Sequence, residues 1–160
     1  MTLTIRPAVP DDVELLCRLN EPVHELHVKA YPQFFKPYAI TDEMRNFFHV
    51  RLTDPTWAGF IAELDEEPVG YVLLQTLRRP ENVFVYAMDY ISVDQLSVMP
   101  EHQRKGIGRA LMEAVYTFAR ANGLSYLVLN VWVFNQDAIG FYERLGFNFR
   151  DTRMELTLQP

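Results

Sequence analysis

One stretch constrains this chain more than any other. From Val83 to Val98 the residues read as a long strand, Pro100 ends it, and Gly106 and Gly108 sit in the loop that follows. Past them the apolar period changes: Ile107, Leu111, Ala114, Val115 and Phe118 recur at helical spacing, and Asn122-Gly123 supplies a left-handed C-terminal cap. A strand led through a glycine loop into a helix turns the free N–H groups of the first turn, and the positive end of the helix dipole, toward whatever the loop encloses. The segment reads as an anion cradle suited to phosphate or, at its plainest, as a tight strand-to-helix turn. It is not a P-loop, which needs Gly-Lys-Ser/Thr, because Lys105 precedes Gly106 and Ile107 follows it. Nor is it a dinucleotide fingerprint, since Leu111 stands where a small residue is required.

The rest of the chain supplies partners for that unit. Thr2 to Ile5 alternates as a strand; Asp11, after Pro7 and Pro10, is expected to cap a helix with Glu14 as capping-box partner. Val13, Leu15, Leu16, Leu19 and Val23 mark a helical face that Pro22 should break or kink. Tyr31 to Tyr38 is irregular, and Thr41 is expected to cap a second helix carrying Met44, Phe47, Phe48 and residues 50–52. Trp57–Leu64 and Pro68–Leu77 make a hairpin around Asp65-Glu66-Glu67, and Val83–Val98 is long enough to need a bulge or bend. Tyr126–Val133, apolar on both faces, predicts a strand buried in mid-sheet. Asn135–Leu145 reads as a short helix, and Gly146-Phe147 as the turn into a terminal pair of strand segments on which Met154, Leu156 and Leu158 alternate. A single mixed α/β domain over residues 1–160 is expected.

Charge narrows the partners. Fifteen Lys and Arg against 21 Asp and Glu leave −6, which speaks against nucleic acid and anionic membrane surfaces. The lone Cys17 excludes an internal disulfide and fits a reducing compartment; on its helix it should pack as a small hydrophobe. His24 and His27 lack a third ligand, so no metal site is expected. The N-terminus lacks a signal peptide's apolar run, and Tyr126–Phe134 is far shorter than the ~20 residues of a membrane span, so a soluble cytoplasmic protein is expected.

Three segments in order carry a family resemblance. Gln103-Arg104-Lys105-Gly106-Ile107-Gly108 resembles the Arg/Gln-x-x-Gly-x-Gly/Ala motif of the GNAT superfamily of N-acetyltransferases. Leu96-Ser97-Val98-x-Pro100-Glu101 is similar to that family's strand-to-loop signature, and Asn135-x-x-Ala138-x-x-Phe141-Tyr142-x-x-x-Gly146-Phe147 to its second motif. The resemblance implies a GNAT-like acyltransferase fold: a mixed, mostly antiparallel twisted sheet of about seven strands flanked by about four helices. It places the cofactor-binding core at about 83–147 and an acceptor-shaping region at about 20–56. Acetyl-coenzyme A is the implied cofactor. Its pyrophosphate would lie on backbone amides of the loop from Gln103 to Arg109, through Gly106, Ile107 and Gly108, with Arg104, Lys105 and Arg109 adding positive charge. Its pantetheine arm would run along the main chain of Leu96, Ser97 and Val98 and meet Asn135 and Ala138.

Acetyl transfer to an amine needs a neutral nucleophile. A lysine-like amine of pKa ~10.4 is neutral to about one part in 2,500 at pH 7, a cost of ~4.6 kcal/mol, so a base is useful, directly or through water. Asp94 matches the position where some family members carry a catalytic Glu in a Glu-x-Leu/Phe context; the shorter side chain favours a water relay, and the plain alternative is a solvated or salt-bridged carboxylate. Asp89 is a weaker candidate. Tyr142 resembles the family's proton donor to the departing sulfur, or packs beside Phe141. Asn135 also suits a helix N-cap. A backbone N–H around Leu96 or Val98 is expected to meet the oxyanion. Tyr31, Phe34, Phe35 and Tyr38 either line the acceptor pocket or form a small core that pins their loop. The implied activity is N-acetylation of a primary amine on a small molecule or peptide, by direct attack in a ternary complex. The alternatives are a non-catalytic acyl-coenzyme A sensor and an acyltransferase for a non-amine acceptor. Homodimer formation is a further implication of the resemblance.

Overall fold

The computed structural model describes all residues, Met1–Pro160. They form two compact units, Met1–Asn130 and Val131–Pro160.

The first unit is built on a five-stranded sheet: β1 (Leu3–Pro7), β2 (Trp57–Leu64), β3 (Glu67–Arg79), β4 (Met88–Val98) and β5 (Leu127–Leu129), in that spatial order. Neighbours are antiparallel except β5, which runs parallel to β4. The mixed α/β architecture is as expected, with five strands in place of about seven. Asp65 and Glu66, at φ 49° and 70°, make the two-residue turn whose twist suits a hairpin, so the β2–β3 connection is one residue tighter than the sequence predicts.

Helices α1 (Val13–Leu19) and α3 (Asp42–Thr53) cover one face of the sheet, where Leu16, Cys17, Leu19 and Phe48 bury against Ile61, Tyr71 and Leu73. Tyr71 and Leu73 alternate with the equally buried Val72 and Leu74, so these face the other way. There α4 (Ile107–Ala121) packs on β1 to β4 and buries Ile107, Leu111, Met112 and Val115. Each fully buried aliphatic side chain of this kind contributes about 1.5–3 kcal/mol.

Four local expectations are corrected. The first helix breaks at Asn20 rather than at Pro22: α2 (Glu21–Ala30) takes Pro22 into its first turn, where a missing N–H is harmless. Asp12, not Asp11, closes the helix entry; its carboxylate accepts from Val9 N (2.8 Å) and from Arg6 Nη1 and Nη2 (2.8 and 2.9 Å). β4 starts at Met88 rather than Val83, because the Asn82 side chain accepts from Phe84 N and Val85 N and curls the preceding segment into a loop. Tyr126–Val133 yields only the three residues of β5, at the end of the sheet rather than mid-sheet.

The second unit contains α5 (Gln136–Arg144), and the terminal strand pair expected there is absent. Residues 148–160 carry no ladder, and Met154, Leu156 and Leu158 are 93%, 83% and 81% exposed. Alternation states which face wants cover; a strand also needs an edge to pair with.

Candidate active site

The expected irregularity in β4 falls at Asp94. Leu73 pairs with Gln95 and Leu74 with Val93, so Asp94 is the extra residue of a β-bulge. Two residues then stand opposite Leu73, and both Asp94 and Gln95 project on the face that α1 and α3 cover. β5 pairs only with Ile91–Val93, so from Asp94 to Val98 the edge of β4 away from β3 has no strand partner. The bulge marks the point where that free edge begins.

Asp94 is reached by solvent yet crowded by protein atoms. This desolvation raises its carboxyl above the usual carboxylate range, and the charge of Arg51 on α3 acts against the rise. Arg51 packs over two rings: its Cζ is 3.4 Å from the centroid of Phe47 and 4.6 Å from that of Trp57. Its Nη1 donates to the Phe47 carbonyl at 3.1 Å, while Nε is buried with no hydrogen-bond partner. Burial lowers the Arg51 pKa, and Asp94 opposes that.

Gln95 is held from beneath. The buried Tyr71 hydroxyl donates to Gln95 Oε1 at 2.6 Å and accepts from Asn20 Nδ2 at 2.8 Å. Ser97 Oγ donates to the Leu19 carbonyl at 2.7 Å. These bonds clamp the α1–α2 break onto the downstream half of β4. The Ser97 side chain is spent in that clamp and its main chain pairs with Tyr71 in the ladder to β3. Asp89, the weaker base candidate, faces Arg78 at 3.6 Å on the surface.

The glycine loop follows a short turn of helix, Pro100–His102. Arg104 and Gly106 both take left-handed φ, 60° and 83°, and Gly106 is the N-cap of α4. A Cβ on Gly106 would meet no atom within 4 Å, so the space above it is open and the requirement for glycine is one of backbone angle. The Gln103 side chain donates to the Val98 carbonyl at 3.0 Å, tying the loop to the strand end. Arg104, Lys105 and Arg109 are exposed around it. Ile107 turns into the core, while Gly108 lies in the first turn of α4; Leu96 and Val98 pair with Val72 and Gly70. A groove of about 370 Å³, bordered by Arg18, Glu21, Glu67, Glu101 and His102, includes neither Asp94 nor this loop.

The aromatic segment is tied down. Tyr38 donates to the Cys17 carbonyl at 2.7 Å, and the Phe35 ring lies 5.0 Å from His27 and 6.3 Å from His24. Phe34 leans on Phe35 at 5.2 Å and is largely exposed, while Tyr31 caps α2, its N–H bonded to the His27 carbonyl. Phe35 and Tyr38 therefore act as pins. His24 shares a hydrogen bond with the Lys36 carbonyl, and Cys17 is fully buried, its thiol pushed up by desolvation.

In the second unit, Asn135 caps α5: its Oδ1 accepts from Ala138 N at 3.1 Å. Tyr142 stands between Phe141 and Phe147, with centroids at 5.1 and 5.6 Å.

A model of the Acetyltransferase (GNAT) family matches residues 20–147. The chain belongs to this family. An uncharacterized N-acetyltransferase of Methanocaldococcus jannaschii is 28% identical over 151 residues, 94% of this chain and 62% of that protein, so the chain spans less than two thirds of that relative's length. The [Ribosomal protein bS18]-alanine N-acetyltransferase of Escherichia coli is 39% identical over 61 residues, covering 38% of this chain and 41% of that protein. Among solved structures, a tetramutant of a Bacillus halodurans protein superposes with a TM-score of 0.90 at 25% identity, over 97% of this chain and 99% of that one. An aminoglycoside acetyltransferase from an uncultured soil metagenomic sample shares the fold, with a TM-score of 0.72 at 22% identity over 98% and 97% of the two chains.

Within this GNAT chain the first unit brings Asp94 together with the free edge of Leu96–Val98, and that strand leads through the turn at Pro100–His102 into the loop at residues 103–109. Sequence reasoning missed Arg51, Tyr71, Gln95 and Asn20. Arg51 falls inside the region assigned to shaping the acceptor, but a lone arginine on a helix gives no signal of the two rings it lies between.

Proposed function

We propose that this protein transfers the acetyl group of acetyl-coenzyme A to a primary amine of a small molecule or peptide, by direct attack with both substrates bound. The observation that carries this reading is the bulge. In a chain of the acetyltransferase family, it sets a solvent-reachable carboxylate of raised proton affinity at the head of a free strand edge.

The residues present fit acetyl-coenzyme A. The open space above Gly106, the first-turn amides of α4 and the exposed Arg104, Lys105 and Arg109 would hold its pyrophosphate. Main-chain groups of Leu96–Val98 would hold the pantetheine arm in the manner of an added strand. Asn135 and Ala138 are assigned to the same arm by family position. Bound there, the cofactor supplies an acetyl group activated as a thioester.

Asp94 takes the proton of the incoming amine, directly or through one water. A carboxyl above the ordinary range is better matched to that task near neutral pH than a free aspartate. A main-chain N–H of Leu96 or Val98 polarises the acetyl oxygen; one such donor is worth about 3 kcal/mol. Tyr142 is assigned the protonation of the leaving sulfur, its ring held by Phe141 and Phe147. Phe34 and Tyr31 border the acceptor, with Phe34 the more available, while Phe35 and Tyr38 hold the segment in place behind them.

The test is thiol release from acetyl-coenzyme A across amino acids, polyamines, aminoglycosides and peptides with N-terminal alanine. Turnover that collapses in Asp94→Asn and Tyr142→Phe while cofactor affinity persists supports the reading. Absence of acetyl-coenzyme A binding at micromolar concentration overturns it.

A further inference from the structure

We propose that the Arg51 guanidinium is a second anchor of the acceptor site, and that the acceptor carries a carboxylate beside its amine, as an α-amino acid or similar small zwitterion does. The assignment rests on Asp94 as the amine-facing residue.

Arg51 is a half-buried cation in no ion pair, and Asp94 acts on it only from beyond ion-pair distance. None of the chain's ion pairs includes it. Burying a charge without a partner is costly, and chains normally avoid it by pairing or exposure. Here two rings and one hydrogen bond, from Nη1 to the Phe47 carbonyl, hold the guanidinium in place. Nη2 is left without a protein acceptor on a group that is already anchored. An arginine held in this way is preorganised for a carboxylate, which its planar fork matches better than any other common anion-binding side chain does.

The register places it across from Asp94. Trp57 pairs with Gln75 and Gln75 with Ser92, a row across β2, β3 and β4. Two strand spacings of about 4.7–4.9 Å separate the ends of that row. Arg51 stacks over the Trp57 end, and Asp94 lies two residues beyond Ser92 on the same face. About 9.5 Å across the strands and about 6.6 Å along β4 set the two backbone positions on the order of 11–12 Å apart, a gap shared by the two side chains and a small zwitterion with a hydrogen bond of about 2.9 Å at each end. A polycation would instead bring its charges against Arg51.

The test compares free amino acids with their primary amides, which keep the amine and lose the negative charge. Both thiol release and calorimetric binding to the cofactor-loaded protein are read. The wild type should prefer the acid by about tenfold or more in kcat/KM, mainly through KM. Arg51→Gln should erase that preference and Arg51→Lys restore part of it, with thermal melts confirming that each variant folds. The proposal is overturned if amides match acids in the wild type, if Arg51→Gln keeps the preference, or if no acid binds. Should carboxylate-free amines react while acids do not, acetyl transfer stands and the anchor falls. Should acids bind through Arg51 with no thiol released, the anchor stands and the transfer reading falls.

Discussion

The hydroxyl of Tyr71 links three elements through one oxygen, and Tyr71→Phe isolates it because the ring and its contact with Phe48, 6.1 Å between centroids, are kept. Two hydrogen bonds vanish, at 2.6 Å to Gln95 and 2.8 Å from Asn20, and Asn20 is only 7% exposed. Each bond is worth about 0.5–1.5 kcal/mol net, and a buried amide left unpaired costs about 1–3 kcal/mol. Asn20 Nδ2 already lies 3.4 Å from Gln95 Oε1, so a small closure would recover part of the loss. The expected net destabilisation is about 2 kcal/mol, or roughly 4–8 °C in Tm for a chain of this size. Urea and thermal melts of Tyr71→Phe, Gln95→Met and the double variant would measure it. Because the two sites share one bond, the double variant should be milder than the sum of the singles by about 0.5 kcal/mol or more. A Tyr71→Phe change within about 0.5 kcal/mol of wild type, or strict additivity, would refute the claim that this oxygen fixes the α1–α2 break to β4.

Asp94→Asn should lower kcat/KM by about 10²–10⁴. Because the Asp94 carboxyl titrates above the usual range, the rising limb of the wild-type pH–rate profile should lie above the ~3.9 of a free aspartate, and Arg51→Gln, by removing the opposing cation, should displace it further upward. A limb that stays put in Arg51→Gln would show that the two charges do not communicate. Gly106→Ala forces a side chain into φ 83° at a cost of about 1–2 kcal/mol, and titration calorimetry should show weaker acetyl-coenzyme A binding; equal affinity would mean that the loop amides do not hold the phosphate. Arg6 and the Val9 N–H hold the folded Asp12 carboxyl below its unfolded value, so its contribution is full above ~3.9 and lost as pH falls through the folded value. Asp12→Asn should flatten the acid end of the stability curve from urea melts, and parallel curves for the two proteins would contradict this.

The parts of the fold legible in the sequence are those set by local rules. Thr41 caps α3 as its side chain predicts, with Oγ1 accepting from Met44 N, and Gly123 at φ 68° closes α4. The glycine loop ahead of α4 is legible too, although the left-handed φ falls on Arg104 and Gly106 together, which the motif does not state. Asn20 is not legible, since nothing in Leu19-Asn20-Glu21 announces that Ser97, 78 residues away, takes the Leu19 carbonyl. Proline drew the break to itself by a rule that applies inside helices and not in their first turn. Met154, Leu156 and Leu158 misled for a related reason: alternation is local, whereas a strand is a relation between two segments. At the site, Asp94 and the loop were legible from family motifs, while Arg51 depends on rings contributed by a helix and a strand.

The bulge gives β4 two phases. Upstream of Asp94 the even-numbered Tyr90 and Ser92 pair with Leu77 and Gln75; downstream the odd-numbered Gln95 and Ser97 pair with Leu73 and Tyr71, so one side of the sheet is served by opposite parities along a single strand. Deleting Asp94 would restore one uninterrupted alternation and a more regular ladder, leaving every neighbour facing the way it does now. The sheet would lose only its projecting carboxylate. Substitution at this position thus replaces the carboxylate and retains the kink, whereas deletion removes both and improves the strand. Regularity and a projecting carboxylate compete here for the same residue.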